Sequence, residues 1–289
     1  MGAVPAHVSG GFDGTESESL AIWEADAVRY HSIGSPWRPS AGDAAVYRRL
    51  AGAGLGGRVL LLGVTPELRD AVAEAGGRSV VVDISGAMYA AATSMLRRAD
   101  PKDETWLQAD WCDPSVPTDG FDLAIGDNFF WAVSVCKQHE LGERLHAALK
   151  PGCLLVTRAR LVDPARAGQN AVSWLRSFLQ QVDRSPEDEQ TIRGAAYSWL
   201  YDHTTDRAHY RLDRARAQAL VLELAKAPEF SRHEEYVRGF AARLPGPNWT
   251  SQTREELFAV LGERLEVVDE GCADDYDSSF YPVIALRRR

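Results

Sequence analysis

Arg58 to Asp83, RVLLLGVTPELRDAVAEAGGRSVVVD, constrains the fold more than any other stretch of the chain. Val59 to Leu62 run apolar without interruption, and Val64 follows Gly63, the pattern of a strand buried on both faces of a parallel sheet. Thr65 stands where a helix N-cap is needed, and Pro66 where a first turn tolerates proline. A second apolar strand follows and ends in Asp83. Strand, tight turn, helix and strand make a βαβ unit, in which a nucleotide-like ligand can lie over the helix N-terminus. Asp83 falls 20 positions after Gly63, where a carboxylate can hold a ribose hydroxyl. Taken alone, the stretch also fits a βαβ unit whose strand ends in Asp by chance.

Only Gly63 is a glycine in the turn Gly63-Val64-Thr65-Pro66-Glu67. A pyrophosphate needs the close backbone approach that the missing glycines would allow, so a cofactor without a diphosphate suits this turn better. Two more strands have polar ends: Thr105 to Ala109 finishes at Asp110-Trp111, and Phe121 to Gly126 finishes at Asp127-Asn128. In an open parallel sheet the ligand sits beyond the carboxyl ends of the strands, so Gly63, Asp83, Asp110 and Asp127 are expected to converge there.

With those residues in view, the chain resembles the class I S-adenosylmethionine-dependent methyltransferases, in particular a branch whose first motif reads GVTPEL in place of a glycine-rich loop. The resemblance covers most of residues 20 to 162 and again 250 to 289. It implies a Rossmann-like, doubly wound α/β sheet with S-adenosyl-L-methionine as cofactor and methyl transfer as the activity. It lays the turn Gly63-Val64-Thr65 under the methionine part of the cofactor and puts Asp83, with Ile84 beside it, on the ribose. Asp110 would accept from the adenine amino group with Trp111 flanking the ring, and Asp127 would lie near the methionine moiety and the transferred methyl. The step Trp37-Arg38-Pro39-Ser40 also resembles that branch, which implies that Trp37 and Arg38 cover the cofactor's carboxylate. The same residues also read as a packed loop before a helix capped by Ser40, with Asp43 reaching back.

Composition narrows the classes. A chain of 289 residues, 45% hydrophobic and 25% charged, can bury one large core or one core and a subdomain. A formal charge of -9 argues against nucleic acid as the main partner, and no apolar run approaches the length of a membrane span. The opening MGAVPAHVSGGF has neither the basic nor the apolar region of a signal peptide, so a cytoplasmic location is expected. Cys112, Cys136, Cys153 and Cys272 include no CxxC pair, and no metal site is expected. The abundance of Arg, Ala and Gly suggests a bacterial source.

Residues 1 to 18 are expected to be mobile. Helices are predicted at 20–31, 41–50, 66–75, 86–98 and 137–149, and strands at 58–63, 78–83, 105–109, 121–126 and 153–160, with Lys150-Pro151-Gly152 as the turn between the last helix and strand. This places the cofactor core at 19–162 and 249–289. Residues 163 to 248 read as helical with no convincing strand, their acidic and basic residues balanced at 12 each, and are expected to form a substrate cap. The chain then finishes with a capped helix at 251–263 and two strands joined by the short turn Asp274 to Ser278, a C-terminal antiparallel hairpin. A nicotinamide-binding half-domain would continue with a parallel crossover instead.

Methyl transfer from a sulfonium requires positioning, exclusion of water and, for a protonated acceptor, removal of a proton. Asp127, His139, His203 and His209 are the candidate bases, and Asp127 is also a candidate for holding cofactor. His203 and His209 read more readily as surface histidines than as bases in a lid, and six apart they are not stacked on one helical face as metal ligands would be. Arg207, Arg211 and Arg214 are expected to share a helix face. Asp127-Asn128-Phe129-Phe130 lacks the prolines of an amino-methylation motif. The expected partner is a small-molecule acceptor, O- or N-methylated, with no nucleic acid or membrane and with the chain a monomer or homodimer. A cyclase using the same cofactor, an NAD-dependent oxidoreductase and a non-catalytic cofactor-binding protein remain the alternatives.

Overall fold

The computed structural model describes residues 16–206, 210–244, 250–262, 264–276 and 278–289. Helix α1 (Glu16–Ala27) starts and stops earlier than the predicted span, and a 3-10 turn at Tyr30–Ser32 follows it. Helix α2 (Ala41–Ala51) is fixed by the expected box: Ser40 Oγ accepts the Asp43 N–H at 2.9 Å, and the Asp43 carboxylate accepts the Ser40 N–H at 3.0 Å. The chain then runs β1 (Arg58–Leu62), α3 (Pro66–Glu74), β2 (Arg78–Asp83), α4 (Gly86–Thr93), β3 (Thr105–Gln108), β4 (Phe121–Asp127), α5 (Phe129–Ala132), α6 (Val135–Ala148) and β5 (Leu149–Arg158).

Five more helices follow: α7 (Pro164–Ala167), α8 (Ala171–Arg184), α9 (Glu189–Thr204), α10 (Arg214–Ala225) and α11 (Glu234–Ala242). Helix α12 (Arg254–Leu261), with the capping box Thr253/Glu256, precedes β6 (Leu265–Gly271) and β7 (Val283–Arg288). The seven strands lie in the order β3-β2-β1-β4-β5-β7-β6. Strands β1 to β5 pair in parallel, and β7 runs antiparallel between β5 and β6. This is a Rossmann-like α/β fold.

Alternate strand residues divide between two cores. Leu60, Leu62, Val82 and Ala124 pack with Leu141 and Leu145 of α6 and Leu257 and Leu261 of α12. Val59, Leu61, Val81 and Ile125 pack with Tyr47 and Leu50 of α2 and Leu68 and Val72 of α3. A third cluster, including Leu175, Phe178, Leu200, Val221 and Phe240, belongs to α8–α11. The insertion leaves and returns side by side, since Leu161 bridges Gln252 and the Val162 N–H donates to Gln252 O at 2.8 Å. Buried Arg160 ties that junction to α9 through Ser198 O, the Asp202 carboxylate and Ser251 Oγ.

Four local expectations are corrected. Helix α4 ends at Thr93 because the Asp70 carboxylate takes the N–H groups of Arg97, Arg98 and Ala99 at 2.8–3.1 Å. Lys150-Pro151-Gly152 is not a turn after a helix but lies inside β5, where pairing with β4 slips from Phe121↔Leu149 to Leu123↔Leu154. The C-terminal hairpin has a longer connection than 274–278, because Asp275 accepts from Ser40 Oγ and Gly42 N–H while the Tyr276 hydroxyl reaches Asp43. That loop is held by the start of α2 instead of by strand pairing. In the insertion, Thr205–Asp206 pairs with Arg211–Leu212 where no strand was expected, so Arg211 and Arg214 fall on different elements. Arg207 and His209 lie outside the described residues. Among the described residues, no helix is long and apolar enough to cross a membrane.

Candidate functional site

The carboxyl ends of β2, β1 and β4, neighbours in the sheet, lie side by side, and α3 begins just beyond β1. Gly63 turns the chain out of β1 with φ +88°, a region that glycine enters without strain, and its N–H donates to Val82 O at 2.8 Å. Thr65 occupies the N-cap of α3, but its side chain makes no capping bond. Glu67 fills that end instead, with its carboxylate accepting its own N–H and ion-paired to Arg38 Nε at 2.8 Å. Burial pushes the Glu67 carboxyl up, and Arg38 and the backbone bond pull it back. The positive end of the α3 dipole is therefore already matched by a carboxylate of the chain itself. Arg38 also donates to Tyr30 O at 3.4 Å.

Asp83 ends β2 with Oδ1 accepting the Ser85 N–H at 2.8 Å, and the Ile84 N–H also bonds its carboxylate. A Cβ placed at Gly63 would lie 3.9 Å from Asp83 Oδ2, so this carboxylate faces the turn. Asp110 accepts the Cys112 N–H at 2.7 Å and has Lys137 Nζ at 3.7 Å. Trp111 donates its indole N–H to Val82 O at 2.8 Å, which sets its ring edge-on to Phe129. Tyr30, expected only as a helix residue, is buried where these elements meet. Burial and the charges of Glu67, Asp127 and Asp83 push its phenol up, with Arg38 opposing.

Burial pushes Asp83 up to about 6 from an ordinary 3.8. Between those values the folded chain holds a proton that the unfolded chain has lost, so the stability from this group is full below 3.8 and is lost as pH rises through about 6. Ligand binding has the opposite sign, because donor hydroxyls bond the ionised carboxylate more strongly. Affinity for S-adenosylhomocysteine is expected to rise as pH increases through about 6. Asp83→Asn should flatten that rise in calorimetric titrations from pH 5 to 8, and an unchanged profile would exclude Asp83 as its source.

Asp127, at the end of β4, is not presented as a base. Its Oδ1 accepts from Arg158 Nε at 2.8 Å and from the Tyr47 hydroxyl at 2.9 Å, and its Oδ2 accepts from Arg158 Nη2 at 2.9 Å. Arg158 also donates to Asp43 at 2.7 Å, to the Tyr276 hydroxyl at 2.9 Å and to Pro36 O at 2.8 Å. Burial opposes the Arg158 charge, yet Asp127, Tyr276 and Asp43 outweigh it and hold its pKa high. Burial likewise pushes the Asp127 carboxyl up, with Arg158 and Tyr47 opposing. This buried network was missed in the sequence. Its one local sign was two arginines, Arg158 at the end of β5 and Arg160 just beyond it, after the apolar run Leu154 to Val156.

The histidines do not gather here. His139 is exposed on α6 beside Glu143, while His203 stacks on Trp199 at 4.7 Å with Nδ1 bonded to Ala167 O at 3.0 Å. Its partners thus lie within the insertion and at its start. Trp37 does not follow Arg38 toward Glu67. Its ring stacks instead on Trp131 at 5.3 Å. Val64 is buried in the core beneath the turn. Among the described residues, no three His, Cys, Asp or Glu side chains cluster as metal ligands. A cleft of about 530 Å³ between Gly54, Gly57, Asp122 and Cys153 opens at the amino ends of the strands, away from these carboxylates.

No protein-family model and no curated protein sequence matches the chain. Solved structures do. One from Rhodobacter sphaeroides, provisionally described as a Zn-dependent alcohol dehydrogenase, aligns with TM-score 0.56 and 15% identity over 94% of this chain and 98% of its own. The N-methyltransferase NodS from Bradyrhizobium japonicum WM9, in complex with S-adenosyl-L-homocysteine, aligns with TM-score 0.51 and 11% identity over 92% and 98%. Magnesium protoporphyrin IX methyltransferase from Synechocystis PCC 6803, also with bound S-adenosylhomocysteine, gives 0.52 and 11% over 95% and 100%. At these identities the likeness is one of fold. The chain thus has the Rossmann-like fold that S-adenosylmethionine-dependent methyltransferases of class I share.

Proposed function

We propose that the chain is an S-adenosylmethionine-dependent methyltransferase acting on a small-molecule acceptor. The observation that carries this reading is the Glu67–Arg38 pair at the N-terminus of α3. In a dinucleotide-binding fold the cofactor's pyrophosphate takes that position, and here the Glu67 side chain already fills it, neutralised by Arg38. A donor that ends in an amino acid, with an ammonium and a carboxylate in place of the diphosphate, matches such a pair of opposite charges. The residues fit that group: Asp83 would hold its ribose and Asp110 its adenine, with Glu67 and Arg38 at its amino-acid end. Bound there, the cofactor supplies an activated methyl group. The chain's own part is to orient donor and acceptor and to keep water out, with α7–α11 as the lid over the strand ends.

Calorimetry with the full chain tests the reading. S-adenosylhomocysteine is expected to bind and NAD to bind at least tenfold more weakly, if at all. NAD binding as tightly as S-adenosylhomocysteine would overturn the assignment in favour of an oxidoreductase.

A further inference from the structure

We propose that the side-chain amide of Asn128 bonds the hydroxyl that receives the methyl group and so orients the acceptor, an inference that rests on the methyltransferase reading above. Strand register gives its place. Leu62, the last residue of β1, pairs with Gly126 of β4, so Asp127 stands level with Gly63 and Asn128 one step further out, beside the turn that leads into α3. A ligand lying beyond the ends of these two neighbouring strands passes both that turn and Asn128.

The amide itself has no partner in the chain. Asn128 is only 8% exposed, and among the described residues neither its Oδ1 nor its Nδ2 makes a hydrogen bond. A buried amide unpaired at both ends costs stability, and a ligand-binding role is among the reasons a native chain retains such a group.

The surrounding backbone fixes the residue in that state. Asn128 sits in the left-handed region with φ +52° and ψ 21°, its N–H donates to Arg158 O at 3.1 Å, and its carbonyl accepts the Trp131 N–H at 3.0 Å. The turn after it is anchored from two sides. Gln138 Nε2 of α6 donates to Phe130 O at 2.8 Å and to Val133 O at 3.1 Å. Thr250, on the segment returning from the insertion, gives its N–H to Trp131 O at 2.8 Å and its hydroxyl to Val133 O at 2.7 Å. A left-handed residue with a side chain persists where its surroundings over-determine it, and such positions gather at ligand sites. Here the sheet and the insertion clamp the same turn.

An amide both donates and accepts, and a hydroxyl does the same. Asn128 takes up no proton, so its part is to hold the hydroxyl and turn an oxygen lone pair toward the methyl. In the transfer that oxygen bonds the methyl carbon as the carbon–sulfur bond breaks. The bond's electron pair stays on sulfur, giving the neutral thioether, and the hydroxyl proton leaves to water.

The test uses the full chain and three sulfonium analogues of S-adenosylmethionine, in which 2-hydroxyethyl, propyl or 2-aminoethyl replaces the methyl. The cofactor part then delivers the probe: the hydroxyl stands two carbons from sulfur, where an acceptor oxygen approaches the methyl, and propyl has nearly the same shape without it. Calorimetry is expected to show the hydroxyethyl analogue bound about threefold to tenfold tighter than the propyl one, the worth of one hydrogen bond. In Asn128→Gly, which the left-handed backbone accepts, that preference should vanish while S-adenosylhomocysteine binds as in the parent. Equal binding of the two analogues by the parent, or a preference that survives in the folded variant, would overturn the proposal. Tighter binding of the aminoethyl than of the hydroxyethyl analogue would refute the hydroxyl in favour of an amine. Parallel loss of S-adenosylhomocysteine affinity in folded Asn128→Gly would make Asn128 a cofactor residue and defeat the proposal too. Should the glycine variant fail to fold, Asn128→Ala removes the amide at a modest backbone cost and decides in its place. Failure of the parent chain to bind S-adenosylhomocysteine is a separate result that removes the methyltransferase reading and this proposal with it.

Discussion

An Arg158→Met protein should unfold at markedly lower denaturant than the parent, having lost about 3–5 kcal/mol, the cost of removing one partner from a buried ion pair. The guanidinium is fully buried and bonds two carboxylates that are themselves enclosed, Asp43 and Asp127. Methionine fills much of the same volume and supplies no donor, so both carboxylates lose their counter-charge in a place where water cannot replace it. The effect should reach four segments at once, because the same group holds Pro36, the start of α2, the end of β4 and Tyr276. Arg158→Lys keeps the charge without the planar fork and should fall between the two proteins. Equilibrium denaturation of all three provides the measurement. A loss below about 1 kcal/mol for Arg158→Met, the value of an exposed pair, would show that the network is not holding the strand ends together.

That network also marks the boundary of what the sequence could reveal. The turn at Gly63, the second strand with its terminal Asp83 and the Ser40/Asp43 box are local, since each depends on residues a few positions apart. Periodicity and capping rules find such features directly. Arg158 meets Asp127, Asp43 and Tyr276 across separations of 31, 115 and 118 residues. Only the strand order brings them together. The same limit explains the misplaced end of α4, where Asp70 from the preceding helix takes the N–H groups of Arg97, Arg98 and Ala99, the first two of which the local pattern assigned to a longer helix. Asp127 shows the subtler failure: its position at a strand end was readable, but whether its carboxylate was available depended on an arginine from the neighbouring strand. Tyr30 was equally hidden, because nothing in helical spacing indicates that the chain turns there and brings the phenol within the field of Glu67, Asp127 and Asp83.

Asp83→Ala should lower affinity for S-adenosylhomocysteine about tenfold to a hundredfold, the loss of charge-assisted hydrogen bonds worth roughly 1.5–3 kcal/mol. The structure adds a condition that separates this from unfolding. Asp83 is a carboxylate that burial makes costly to ionise and that the Ser85 and Ile84 N–H groups hold, with no cation among the described residues acting on its charge. Removing it discards the desolvation cost as well as those two bonds, so stability near neutral pH should change little. Arg158→Met is the opposite case, where stability is lost through charges left behind. A folded Asp83→Ala protein with a normal melting temperature and weakened cofactor affinity would therefore place the ribose at the end of β2. Unchanged affinity in that folded variant would move the ribose elsewhere, and a melting temperature lowered together with affinity would make Asp83 a structural residue of the β2–α4 turn.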